Sequence, residues 1–273
     1  MLQRWLDRRP EIAAHDVVTR AIHRTRSEDF GGLAWSEPLD VLTRSLDREA
    51  RLTRAGRLRV RRDLVAQLAA RAAPAGDEPP ADRGPEHAPV FVVGLPATEG
   101  LGDALRAGTT PNAVDPFAFV SLRHEERWHV PGYAEWLSEA DLTPSYESAR
   151  RSLAGEERPH RPRRVVEGAV HLEHVDLIAR VLPSATVVHV RTDVAASVRA
   201  TAERSLVLRR RDSDEADADK VHRYWEWRVG VMAEHGATAL ASFTGRLVEV
   251  DHGEVAAAPD AVARQVWASI AGA

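Results

Sequence analysis

The sequence contains no cysteine, which excludes disulfides, cysteine-ligated zinc, iron–sulfur clusters and thiol catalysis. It also has no apolar run long enough to span a bilayer and no signal peptide, so we expect a cytoplasmic protein outside membranes. Lysine is nearly absent, because Lys220 is the only lysine among 37 basic residues. The formal net charge of −4 gives no global attraction to nucleic acid. We therefore expect neither nucleic acid nor a membrane among its partners, with a homo-oligomer or a protein partner as open possibilities.

Apolar residues make up 44% of the 273-residue chain, enough to bury a sizeable core. In residues 1–73 they recur at three- and four-residue steps, which predicts an N-terminal helical segment. Residues 74–89 are dense in proline and glycine, which break helices and strands, so this stretch is a predicted linker. Residues 90–273 form the predicted α/β core.

A run of arginines from Arg48 to Arg62 alternates with apolar residues. The acidic residues Asp47, Glu49 and Asp63 dilute its positive charge. We interpret the run as a solvated helix face with buried aliphatic stems, and not as a nucleic-acid surface.

Short apolar runs rich in β-branched residues predict four strands, at Val90–Val93, Arg164–Val166, Thr186–Val190 and Arg246–Val250. Helical stretches such as His171–Leu182 separate them. Strands that alternate with helices favour a parallel sheet with right-handed crossovers. Ligands of such sheets bind beyond the carboxyl ends of the strands, so the loops after the first three runs are the predicted site.

Several segments, in a shared order, carry a resemblance to a known family: Glu49–Thr53 with Gly56 and Arg57, Val130–Tyr133, Thr143–Tyr146, His171-Leu172 and Val187–His189. They resemble the bacterial sulfotransferases that use 3′-phosphoadenosine 5′-phosphosulfate (PAPS). The resemblance implies a P-loop-like parallel sheet flanked by helices, with the N-terminal helical segment beside it. It also implies PAPS as the sulfuryl donor and the hydroxyl group of a small molecule as the acceptor.

The first two loops depart from the pattern of that family. Its first loop, Leu-Pro-Arg-Ser-Gly-Thr-Thr, cradles the 5′ phosphosulfate, but here Ala97 replaces the arginine and Glu99 replaces the glycine. Its second loop begins with a lysine that neutralises the donor, but here Glu167 reverses that charge and His171 follows four residues later. Carboxylates thus replace the groups that would bind a phosphate.

The third loop of the family reads His-Arg-Asp-Pro and grips the 3′ phosphate of the donor with its arginine and a later serine. Here it reads Arg191-Thr192-Asp193-Val194, so Arg191, Thr192 and Ser197 are the predicted donor-binding residues. The resemblance also makes Thr98, His124 and Glu125 predicted substrate contacts, although a solvent-facing helix end is an alternative for the last two.

Three functions remain open. In the first, Glu99, Glu167, Asp193 and His171 perform acid–base chemistry on a small molecule, such as cyclisation, elimination, isomerisation or hydrolysis, or bind a cationic group or Mg²⁺. In the second, PAPS-dependent transfer persists, with His171 or His124 as the base. In the third, the chain is a non-catalytic partner or scaffold. A structural alternative for Glu167 itself is a buried salt bridge with Arg191 that replaces the bound donor. No metal-ligand spacing stands out, and the cofactor is unknown unless PAPS still binds.

Overall fold

The computed structural model describes residues 36–71, 88–98, 100–107, 116–154 and 163–271. Most of the predicted linker and the first half of the predicted N-terminal helical segment lie outside these residues. The described helices are α1 Ser36–Glu49, α2 Arg54–Arg71, α3 Leu101–Arg106, α4 Arg123–Arg127, α5 Pro131–Glu139, α6 Thr143–Ala154, α7 Val175–Val181, α8 Val194–Asp212, α9 Ala218–Ala241, α10 His252–Ala257 and α11 Pro259–Ala271. The strands are β1 Val90–Gly94, β2 Val165–Glu167, β3 Thr186–Arg191 and β4 Arg246–Asp251, and a 3₁₀ helix covers Ala169–His174.

The chain divides into two compact units that interleave along the sequence. Unit 1 contains residues 1–76, 113–141 and 202–221, and unit 2 contains residues 77–112, 142–201 and 222–273. The predicted division into residues 1–73, 74–89 and 90–273 is sequential instead, and it stays a prediction.

Unit 2 contains a parallel sheet, as predicted, with the strand order β2-β1-β3-β4 among the described residues. In the register of the two neighbours of β1, Val92 pairs with Glu167 and Gly94 pairs with Val190. The carboxyl ends of β2, β1 and β3 therefore lie along one edge of the sheet, which brings their three following loops together.

Both faces of β1 are covered, which is why its sequence is continuously apolar. On one face Val90 and Val92 join a core to which α3, α10 and α11 contribute, including Leu101, Val255 and Val266. On the other face Phe91 contacts the rings of Tyr146 and His171, with centroid distances of 6.5 and 5.3 Å. A strand enclosed in this way gives the loop after it a rigid base.

Unit 1 is helical, and its core includes a stripe on α1 formed by Leu39, Leu42 and Leu46. α1 packs against α5. The end of α8 meets the start of α2, where a Cβ atom on Gly56 would lie 2.1 Å from the carbonyl oxygen of Asp212. Glycine is required there by this close backbone approach.

Among the described residues, no helix has the length and apolarity needed to cross a membrane.

Candidate functional site

The loop after β1 is a tight turn that depends on Gly94. A Cβ atom at this position would lie 2.7 Å from the carbonyl oxygen of Val190 and 2.9 Å from Oγ1 of Thr98. Thr98 donates a hydrogen bond from Oγ1 to the carbonyl oxygen of Leu95 at 2.7 Å, which closes the turn. Thr98, a predicted substrate contact, therefore also stabilises the loop.

Two residues of this loop adopt positive φ angles: 63° at Ala97 and 117° at Gly100. The left-handed conformation at Ala97 costs free energy in any residue other than glycine, so the surrounding turn must hold it in place. α3 begins directly after Gly100, which supplies no side-chain cap. Glu99 lies outside the described residues, and its predicted place in the pocket stays a prediction.

Glu167, at the end of β2, fills the position that a side-chain cap would take at the start of α3. Its Oε1 accepts a hydrogen bond from the backbone N–H of Gly102 at 3.1 Å, and its Oε2 lies 3.4 Å from Nη2 of Arg106. Both partners are donors, which suits an ionised carboxylate. Among the described residues its ion-pair partner is thus Arg106, and not Arg191 as one of the alternatives predicted.

Gly102 is matched to this arrangement. A Cβ atom on residue 102 would lie 2.2 Å from Oε2 of Glu167, too close for the carboxylate to stay where it is. The glycine therefore leaves space for a resident anion, and Glu167 occupies it. Sequence reasoning missed both partners, although Arg106 is the only basic residue of α3.

The third loop presents a cation. Arg191 ends β3, its side chain is exposed, and its guanidinium has no hydrogen-bond or ion-pair partner among the described residues. Thr192 follows it and is half-buried. Because Gly94 pairs with Val190, Arg191 emerges beside the loop that follows β1. The two loops can thus contact one ligand.

Asp193 and Ser197 support the same region. Asp193 is exposed and caps α8, since its Oδ1 accepts a hydrogen bond from the backbone N–H of Ala196 at 2.8 Å. Ser197 is buried and donates from Oγ to the carbonyl oxygen of Pro96 at 2.7 Å. Ser197 therefore joins the first turn of α8 to the loop after β1, while its role in binding a donor stays a prediction.

His171 is buried beside Tyr146, and its Nδ1 shares a hydrogen bond with the Tyr146 hydroxyl at 2.7 Å. Burial, with a smaller contribution from His174, lowers the pKa of His171 to about 3. The imidazole is neutral at pH 7, and burial makes it a weak base. Its role as a catalytic acid or base stays a prediction.

His124 and Glu125 belong to unit 1, where both are buried, so the alternative of a solvent-facing helix end is wrong. His124 donates from Nε2 to the carbonyl oxygen of Ala118 at 2.8 Å and stacks on Trp128 at a centroid distance of 5.6 Å. Burial lowers its pKa to about 4, although the hydrogen bond to Ala118 opposes this shift. Contact of these two residues with a substrate stays a prediction.

A buried ion pair in unit 2 was also missed by sequence reasoning. The Arg228 guanidinium donates to Glu173 from Nη1 at 3.0 Å and from Nη2 at 2.8 Å. The 55 residues that separate Arg228 from Glu173 in the chain leave no spacing signal for this pairing. The described residues contain no group of three or more acidic or histidine side chains placed to hold a metal ion.

Residues 103–271 match the model of a sulfotransferase family. Sulfotransferase STF9 from Mycobacterium avium has a similar structure, with a TM-score of 0.73 at 18% identity over 94% of this chain and 83% of that one. Sulfotransferase STF1 from Mycobacterium tuberculosis H37Rv gives a TM-score of 0.65 at 20% identity over 94% and 88% of the two chains. At such identities the two structures show the fold alone, and they confirm the predicted one. No curated protein sequence matches the chain.

Proposed function

The chain belongs to the sulfotransferase family, and we propose from this premise that it transfers a sulfuryl group from PAPS to a hydroxyl group of a small molecule. The observation that carries the proposal is Arg191. It is an exposed guanidinium without a partner among the described residues, at the carboxyl end of the strand beside β1. Ligands of parallel sheets bind at this edge, and a guanidinium there suits a phosphate.

In this proposal Arg191 binds the 3′ phosphate of the donor, and the hydroxyl group of Thr192 assists it. Gly94 supports binding indirectly, because it lets the loop after β1 pack closely against β3. When bound, PAPS would supply an activated sulfuryl group, whose transfer to the acceptor oxygen would release 3′-phosphoadenosine 5′-phosphate while the proton of the acceptor hydroxyl would pass to a base or to water. His171 and His124 are the predicted bases, but their burial makes both weak ones.

The residues present do not fit the 5′ phosphosulfate while Glu167 contacts Gly102. The carboxylate already accepts the hydrogen bond of the Gly102 N–H and pairs with Arg106. A second anion in this place meets a negative charge instead of the lysine of the family pattern. Entry of the donor therefore requires Glu167 to move away from Gly102.

The same contact favours a second candidate, a sulfotransferase-fold protein without catalysis. A resident carboxylate with two partners stabilises the site in the absence of a donor. The acid–base alternative has less support, because Glu167 pairs with Arg106 and His171 hydrogen-bonds to Tyr146. Each residue of a Glu167–His171 catalytic pair therefore already contacts another residue.

The test is calorimetric and thermal-shift titration with PAPS and with its desulfated product, 3′-phosphoadenosine 5′-phosphate. We expect both nucleotides to bind and to raise the melting temperature, and adenosine 5′-phosphate to bind more weakly because it lacks the 3′ phosphate. Arg191→Gln should weaken the first two ligands about tenfold or more and leave adenosine 5′-phosphate unchanged.

Arg199→Gln is the matched control, because Arg199 is exposed on α8, eight residues further along the chain. No shift at millimolar nucleotide would refute donor binding. Binding without transfer of labelled sulfate to any of a panel of alcohols and phenols would support the non-catalytic candidate.

A further inference from the structure

A cavity of about 320 Å³ lies in unit 1 beside the connection between α1 and α2. Its charged lining consists of four arginines and two carboxylates, which together define the arginine pocket: Arg48, Arg51, Arg57, Arg61, Asp47 and Glu215. The lining thus carries two more positive than negative side chains. This balance attracts an anion.

Two of the acidic residues that dilute the arginine run in the sequence form specific contacts of their own. Glu49 accepts hydrogen bonds from the Ser45 hydroxyl and, at 3.1 Å, from the backbone N–H of Gly132. Asp63 forms an ion pair with Arg127. Neither residue lines the arginine pocket. The sequence-based interpretation of a mixed, solvated face therefore understates the positive charge at this place.

Arg51 is presented to the pocket by a strained backbone. Its φ angle is 46°, in the left-handed region that is unfavourable for residues other than glycine. The carbonyl oxygen of Arg51 accepts a hydrogen bond from Oγ of Ser213 at 2.8 Å, and the same hydroxyl accepts one from the backbone N–H of Glu215 at 3.2 Å. Ser213 thus joins the two sides of the pocket, and strain held in this way is common at binding sites.

Two further arginines are held in place at the wall. Arg57 donates from Nη1 to the carbonyl oxygen of Leu52 at 2.6 Å, which fixes its guanidinium over the connection. Arg61 lines the cavity although only 3% of its surface is exposed. A buried guanidinium gains from every additional negative group beside it.

We propose that the arginine pocket binds a tetrahedral oxyanion, a phosphate or sulfate group that is either free or esterified to a small molecule. Guanidinium groups match the oxygens of such anions with paired hydrogen bonds, and four arginines line this one cavity. The volume is at the lower end of the range of small-molecule sites, so the anion is the main part of the ligand. This site involves unit 1 alone and does not depend on the proposed function.

The test is isothermal titration calorimetry with inorganic phosphate, inorganic sulfate and phenyl phosphate, at an ionic strength kept constant with chloride. We expect the full chain to bind phosphate and sulfate, and to bind acetate at least tenfold more weakly. Tighter binding of phenyl phosphate than of inorganic phosphate would identify an esterified ligand, and equal binding would identify the free ion. Both results support the proposal.

Arg51→Asn is the decisive variant, because asparagine tolerates the left-handed backbone and lacks the guanidinium. We expect it to weaken phosphate binding about tenfold or more while leaving the melting temperature nearly unchanged. Arg62→Gln is the matched control, since Arg62 is exposed on α2 and does not line the cavity. Absence of phosphate binding to the unmodified chain would overturn the proposal, as would equal affinities of the two variants.

Discussion

Glu167 is the residue whose replacement should change nucleotide binding most. Its side chain is only 12% exposed and accepts the hydrogen bond from Gly102 at the start of α3. Two like charges about 4 Å apart repel by about 4 kcal/mol at an effective dielectric constant near 20, which corresponds to about a thousandfold in affinity. Arg106, 3.4 Å from Oε2, cancels part of this repulsion. We therefore expect Glu167→Gln to bind 3′-phosphoadenosine 5′-phosphate at least about tenfold more tightly than the unmodified chain.

Two further variants separate the charge from the occupied space. Glu167→Ala removes the carboxylate and frees the Gly102 N–H, so it should bind the nucleotide at least as tightly as Glu167→Gln. Asp103→Asn is the matched control, because Asp103 is exposed and pairs with the same arginine at 2.7 Å. Calorimetric titration of the four proteins at one ionic strength measures the differences. If neither Glu167 variant binds more tightly than Asp103→Asn, the carboxylate does not compete with the nucleotide and the reasoning fails.

Two further predictions concern the packing of Gly102 and the burial of His124. Gly102→Ala should not give the stabilisation of about 1 kcal/mol that alanine usually brings to a helix, because its Cβ displaces the Glu167 carboxylate. In a Glu167→Ala background the same change should stabilise, so urea unfolding of the double-mutant cycle should show coupling; purely additive effects would contradict this. His124 has a pKa of about 4 in the folded chain and 6.5 when unfolded, so its contribution to stability is lost as the pH falls from 6.5 to 4, at up to about 1.4 kcal/mol per pH unit. His124→Gln keeps a donor for the carbonyl oxygen of Ala118, and it should reduce the change in the free energy of unfolding between pH 6.5 and 4, measured by urea unfolding. An equal change in both proteins would show that His124 does not cause it.

The fold was predictable because its signals are local. The four predicted runs ended within a residue or two of the observed strands. β1 is buried along its whole length and is therefore continuously apolar, whereas the partly exposed β4 includes the charged residues Arg246 and Glu249. Their alternation with helices was enough for the parallel sheet and for the edge where the three loops meet. The interleaving of the two units had no such signal, because it depends on contacts between distant parts of the chain.

The site was predictable in place but not in its contacts. Glu167 and Arg191 were identified as charged residues at strand ends of one sheet edge, and they end the two strands that flank β1. The pairing of Glu167 with Gly102 and Arg106 depends on the register of β1 and β2 and on the direction of α3, which spacing does not contain. The burial of His124 and Glu125 was missed for a similar reason, since a helix of only five residues has no periodicity to identify its inner face.

The reversed charge of the second loop is explained by the contacts of Glu167. A site of the family pattern carries a lysine and gains its counter-ion when the donor binds. Here Glu167 and Arg106 neutralise each other within the chain, and Gly102 leaves the space that the carboxylate needs. The empty site is thereby stabilised relative to the nucleotide-bound one. If the chain transfers a sulfuryl group as proposed, it must recover that difference from contacts elsewhere on the donor, and the proposal assigns one of them to Arg191.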